Sequence, residues 1–289
     1  MTDSGENIVG RETFEVTADD GVKIFGSEKY VAGMDIKGTV LLLHPMNALG
    51  HIYWDIPMEG YNFMDYLALR GFRAIGMDFR GYGDSEKPEW VTWEGCSKDI
   101  EAVVTHIKNK YGISKLHVVA TSFGATSVAY FLGNNQDSID RLVMSGYMYK
   151  QMPGGPIADR MKELIDKGKL YVHEKPSLEP GPELYDAEPE LMAVWSGLTK
   201  EKNPTRPITH YLDPEGREKA ASHIPLIKVP TLFIRGDHDL NKQDDNLQSF
   251  KDCGAQEKAF MEVGNIGHSL WRDKMHMVVY RAIIGWLSD

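Results

Sequence analysis

At 289 residues the chain is long enough to bury a sizeable core and a pocket, either as one large domain with an insertion or as two smaller ones. A hydrophobic share of 42% and a charged share of 26% belong to an ordinary soluble globular protein. The formal net charge of −10 argues against a nucleic-acid binder, which needs a basic face to neutralise phosphates, and against adhesion to an anionic membrane.

The N-terminus lacks the basic start and apolar core of a signal peptide, and no run of about 18 apolar residues follows anywhere. The expectation is a cytoplasmic protein. Thr13–Val16 and Val22–Phe25 collect β-formers around Asp19-Asp20-Gly21, a strong turn signal, and predict a hairpin.

From Gly38 onward short apolar runs alternate with amphipathic stretches. The runs Thr39–Leu43, Arg73–Met77, Leu116–Ala120, Leu142–Met144 and Thr231–Ile234 read as strands buried on both faces. Ile100, Val103, Val104, Ile107 and Tyr111 recur at helical spacing, as do Val278, Val279, Ala282, Ile283 and Trp286. Such alternation predicts an α/β fold: a mostly parallel central sheet with helices on both faces.

Residues 148–225 break the rhythm. They are rich in proline and acidic residues, show no strand pattern, and suggest two short helices, one carrying Ile157, Met161, Leu164 and Ile165, the other Leu191, Val194, Trp195 and Leu198. The economical reading is a helical cap at 148–225, inserted into a core domain made of 1–147 and 226–289. Cys96 and Cys253 are far apart, without C-x-x-C or nearby histidine spacing, so neither a disulfide framework nor a structural zinc site is expected.

One segment concentrates chemistry. His117–Ala120 runs straight into Thr121-Ser122-Phe123-Gly124, followed at once by a helix-like stretch. A serine on so sharp a strand-to-helix turn stands proud of the sheet and needs small neighbours, which Gly124 and Ala120 supply. Read locally, the serine is either a nucleophile or merely a helix cap.

In the light of further landmarks, the chain resembles the α/β-hydrolase superfamily from about Thr13 to Trp286. His44-Pro45-Met46-Asn47 resembles the loop that supplies half of the oxyanion hole, with proline in place of the usual glycine. Asp78 to Ser85 resembles the D-x-R-G-x-G-x-S turn, which reads as structural, with Gly81 and Gly83 allowing the turn and Asp78 and Arg80 tying it down. Gly236-Asp237-His238-Asp239 resembles the acid-bearing turn, and Gly267-His268 lies near the C-terminus.

The resemblance implies a serine hydrolase with Ser122 as nucleophile, His268 as base and Asp239 as the acid orienting it, in the superfamily's order. Among the ten histidines His44 is the main rival to His268 and fits a structural role; Asp237 is the rival to Asp239. The oxyanion donors map to the backbone N–H groups of Met46 and Phe123. Trp54, Tyr147, Met148 and Trp195 are candidates to line an apolar substrate pocket, although such residues more often form core. The implied activity is cleavage of a small-molecule carboxylic ester through an acyl-enzyme, with no cofactor and no metal. Lactone, amide or carbon–carbon bond hydrolysis by the same triad, or a non-hydrolytic receptor on the same scaffold, stand as alternatives. Haloalkane dehalogenation and epoxide hydrolysis are disfavoured, since those activities on this fold need an aspartate where Ser122 stands.

Overall fold

The computed structural model describes residues 9–150 and 156–288. The extreme N-terminus and the side chain of Ile157, which the sequence places on a helix stripe, lie outside the described residues.

The chain opens as the expected hairpin, β1 (Val9–Thr17) against β2 (Lys23–Val31). After it come β3 (Gly38–Leu43), α1 (Phe63–Ala68), β4 (Phe72–Met77), α2 (Trp93–Tyr111), β5 (Leu116–Thr121), α3 (Phe123–Leu132) and β6 (Ile139–Ser145). The chain then leaves the sheet through α4 (Pro156–Asp166), β7 (Tyr171–His173), α5 (Pro189–Lys202) and β8 (Thr205–Pro207). It returns through α6 (Pro214–His223) to β9 (Thr231–Gly236), α7 (Gln243–Asp252), β10 (Lys258–Val263) and α8 (His276–Ser288).

Eight strands form one sheet in the order β1-β2-β4-β3-β5-β6-β9-β10. The pairings β1–β2 and β2–β4 are antiparallel; the remainder are parallel. The five runs expected as buried strands all lie inside it. Thr39 to Leu43 and all of β5 are buried, because parallel strands have helices on both faces.

On one face α2, α3 and α6 enclose a core that includes Ile100, Val103, Ile107, Val128 and Ala220. On the other, α1 and α8 enclose Phe63, Leu67, Val279 and Ile283 together with Trp54 and Trp271. The long α2 is closed at both ends by local chemistry. Thr92 Oγ1 accepts the Gly95 N–H at 3.1 Å, and Gly112 takes the left-handed conformation that ends the helix.

Three features depart from the sequence expectation. β10 was not anticipated: as an edge strand, half-buried over most of its length, it lacks the continuous apolar run of the inner strands. The insertion contains a two-stranded antiparallel ribbon, β7 with β8, whose three-residue strands are too short to leave a period. And α6, within the stretch read as cap, packs on the core. His223 Nδ1 donates to the Ala129 carbonyl at 3.2 Å, and Lys219 Nζ donates to the Tyr130 hydroxyl at 2.9 Å, both on α3. A parallel crossover from β6 to β9 needs a helix lying on the sheet, and α6 serves as that helix.

Cys96 and Cys253 are buried free thiols. Among the described residues no helix is long and apolar enough to cross a membrane.

Candidate active site

The sheet's carboxyl edge gathers Ser122, Asp239 and His268 around the end of β6. Ser122 lies between β5 and α3 with φ 52° and ψ −108°, a conformation costly for a side chain other than glycine, by about 1–3 kcal/mol. Strain of this size persists only where surroundings enforce it. Here the Ser122 N–H donates to the Ser145 carbonyl at the end of β6 at 2.8 Å, and the Ser122 carbonyl accepts the Thr126 N–H at 3.1 Å. Gly124 is a steric requirement: a Cβ there would stand 2.4 Å from the Leu43 carbonyl oxygen and 2.9 Å from that of His44. The start of α3 therefore lies directly against the end of β3, where the His44–Asn47 loop begins.

His268 and Asp239, 29 residues apart, meet at this edge: Nδ1 of His268 donates to Oδ1 of Asp239 at 2.7 Å, and the Asp239 side chain is 0% exposed. The same Oδ1 accepts the Asn241 N–H at 2.8 Å, which fixes the carboxylate in its turn. Asn241 in turn donates from Nδ2 to the Gly146 carbonyl at 2.6 Å, joining the acid's turn to the end of β6. Gly146, with φ 56°, faces the imidazole so closely that a Cβ would stand 2.6 Å from Cε1 of His268. The residue before it, Ser145, is the one that receives the Ser122 N–H. Serine, histidine and aspartate thus converge on the two residues Ser145-Gly146. Asp237, the rival acid, is one-third exposed and accepts the Ile266 N–H at 3.2 Å instead.

The loop carrying His268 is held from two sides. Asp273, fully buried, accepts the Gly267 N–H at 2.5 Å and, from the insertion, the N–H groups of Tyr185 at 3.1 Å and Asp186 at 2.9 Å. The Ser269 N–H donates to the Glu183 carbonyl at 2.8 Å. Neither Asn241 nor Asp273 was singled out in the sequence; each is a single polar residue in a loop, and its importance comes only from the backbone groups around it.

On the opposite side, His44 is structural. Its Nδ1 donates to the Pro45 carbonyl at 2.6 Å and its Nε2 accepts the Phe79 N–H at 3.1 Å, which fixes the neutral tautomer. Burial pushes its pKa down to about 4. Asn47 N–H donates to the Pro45 carbonyl at 2.7 Å, closing a tight turn around Met46. Phe123 opens α3, where helix geometry leaves the first N–H groups without intrahelical acceptors.

The pocket candidates divide. Trp54 is completely enclosed, edge-on to Trp271 at 4.7 Å between ring centres, and presents no surface to a cleft; it is core. Tyr147 is likewise buried, its carbonyl accepting from Asn246. Met148 is half-buried and its carbonyl accepts from Arg217 at 3.4 Å. Trp195 on α5 lies under the Arg272 guanidinium at 4.4 Å, against Tyr53. The Asp78–Ser85 turn is structural, as read: Asp78 accepts from His51 Nδ1 at 2.9 Å and Asp84 N–H at 2.8 Å, while Arg80 bridges Asp99 and Asp20. His238 stacks on Tyr185 at 3.7 Å between ring centres.

The family model described as serine aminopeptidase, S33, matches residues 35–275. The AB hydrolase superfamily protein YisY of Bacillus subtilis is 25% identical over 237 residues, 78% of this chain and 85% of that protein. Among solved structures, the esterase EaEST from Exiguobacterium antarcticum superposes with a TM-score of 0.69 at 18% identity, over 95% of this chain and 99% of its own. The monoacylglycerol lipase of Paleococcus ferrophilus gives 0.68 at 19%, over 97% and 98%. At such identities the structural likeness establishes the fold, an α/β-hydrolase fold.

Proposed function

The chain belongs to the serine aminopeptidase S33 family, within the α/β-hydrolase superfamily, and on that premise we propose that it hydrolyses carboxylic esters of small molecules through a Ser122 acyl-enzyme. The observation that carries this reading is the Asp239–His268 hydrogen bond of 2.7 Å set against Gly146, one residue from the carbonyl that holds the Ser122 backbone.

A serine hydroxyl is a weak nucleophile near neutral pH and needs a base beside it. With Nδ1–H of His268 engaged by Asp239, Nε2 is the free lone pair that takes the Ser122 proton as Oγ attacks the carbonyl carbon. The electron pair displaced onto the carbonyl oxygen is received by the N–H groups of Phe123 and Met46. Collapse of the tetrahedral adduct breaks the ester C–O bond, and the imidazolium returns its proton to the leaving alkoxide. Water, deprotonated by the same Nε2, then releases the acid and restores the serine. Asp239 stabilises the imidazolium throughout and holds the tautomer.

The test is covalent labelling. A fluorophosphonate probe is expected to modify the wild-type protein at Ser122, with Ser122→Ala inert, and p-nitrophenyl acetate to be turned over by the first and not the second. Labelling that persists in Ser122→Ala overturns the assignment. Turnover of anilides or lactones without turnover of esters moves the substrate class while leaving the nucleophile in place.

A further inference from the structure

His210 is 6% exposed and sits in a short helical turn, Thr209–Leu212, between the insertion's ribbon and α6. It touches both residues to which the oxyanion donors map. Its Nε2 lies 3.2 Å from Sδ of Met46, and its ring lies 5.0 Å from the Phe123 ring at 70°. The adjacent Tyr211 donates its hydroxyl to the same sulfur at 3.5 Å. A thioether accepts hydrogen bonds and cannot donate them, so His210 must carry its proton on Nε2 and donate.

Its platform is rigid. Thr209 Oγ1 accepts the Val91 N–H at 2.8 Å and donates to the Val91 carbonyl at 3.1 Å, and Asp213 accepts the Trp93 N–H at 2.9 Å. The residue group 209–213 is thereby strapped to the start of α2. One residue beyond Asn47, the Ala48 N–H donates to Glu174 of the insertion at 3.3 Å.

We infer that His210, assisted by Tyr211, is a positioning residue for the oxyanion hole, clamping Met46 and Phe123 at a fixed spacing from a segment contributed by the chain between β6 and β9. The inference rests on the proposed acyl-enzyme chemistry. Met46 lies in a loop whose backbone turn is closed by the single Asn47–Pro45 hydrogen bond, so the anchoring of its side chain adds to what fixes its N–H direction. A donor aimed at the developing oxyanion contributes about 10²–10³ in rate when correctly placed, and misplacement forfeits part of that.

His210→Phe keeps the aromatic contact with Phe123 and removes the donor; Met46→Leu keeps apolar volume and removes the acceptor. Each is expected to lower kcat for p-nitrophenyl acetate about tenfold, part of the factor an oxyanion donor supplies, with KM unchanged. The double variant should lose little more than either single one. Tyr211→Phe should give a smaller loss of the same kind and serves if His210→Phe does not fold. Full kcat in Met46→Leu or His210→Phe, losses that multiply in the double variant, or a rise in KM at constant kcat each overturn the clamp. Those results leave Ser122 labelling intact, and so separate failure of the clamp from failure of the proposed chemistry.

Discussion

Gly146 occupies the point where β6 ends, at φ 56°, with the His268 ring lying across its α-carbon. Alanine here brings a Cβ within 2.6 Å of Cε1 and must displace the imidazole. With His268 as the proposed base, Gly146→Ala is expected to reduce kcat by about 10²-fold, the penalty for misplacing a catalytic group by roughly 1 Å. The measurement is ester turnover beside a thermal melt; unchanged kcat in a folded variant would show that the ring has room to spare. Small residues of this kind made Ser122 and Gly267-His268 visible in the sequence, because close approach leaves a mark in residue type. Asn241 and Asp273 left none. The signal was equally blind to Trp54, since an aromatic residue lining a cleft and one filling a core are compositionally identical.

At the scale of elements, the loop between β10 and α8 carries His268 and is organised around one carboxylate. Asp273 satisfies three backbone N–H groups, from Gly267, Tyr185 and Asp186. Removing the acceptor strands the buried Gly267 N–H, at about 1–3 kcal/mol, and leaves the part-buried Tyr185 and Asp186 donors to water, so Asp273→Ala should cost roughly 2 kcal/mol. Urea unfolding of Asp273→Ala against wild type measures this; a loss below about 1 kcal/mol would mean that water replaces the carboxylate. The inner strands and α2 were legible because burial on both faces, or on one stripe, imposes a pattern. β10 faces solvent along much of its length, and β7 and β8 span three residues each, so neither had enough periodic sequence to read. The placement of α6 follows from the topology of a parallel crossover and not from its residues, which explains why composition assigned it to the insertion.

Over the whole molecule, burial lowers the pKa of His44, His106, His117 and His210, that of His44 and His210 furthest, and so links stability to pH. Burial, reinforced by the cations Arg206 and Arg217, depresses His210 to about 3, while burial outweighs the attraction of Asp78 to hold His44 near 4. In the unfolded chain both return to about 6.5. Between that value and the folded one the unfolded state binds the extra proton, so the contribution is complete above pH 6.5 and is lost on acidification. The slope is ~1.4 kcal/mol per pH unit for each histidine. His210→Phe should therefore lose less stability than wild type between pH 6.5 and 4.5, the difference approaching that slope. Chemical unfolding at a series of pH values gives the comparison, and parallel slopes would refute a neutral His210.

Glu174 and Glu183 each hold a backbone N–H on opposite flanks of the serine, one at Ala48 and one at Ser269. Replacing this excursion with a relative's is accordingly expected to lower ester turnover. On the proposed chemistry, the same stretch of chain braces both the loop that carries His268 and the one that follows Met46.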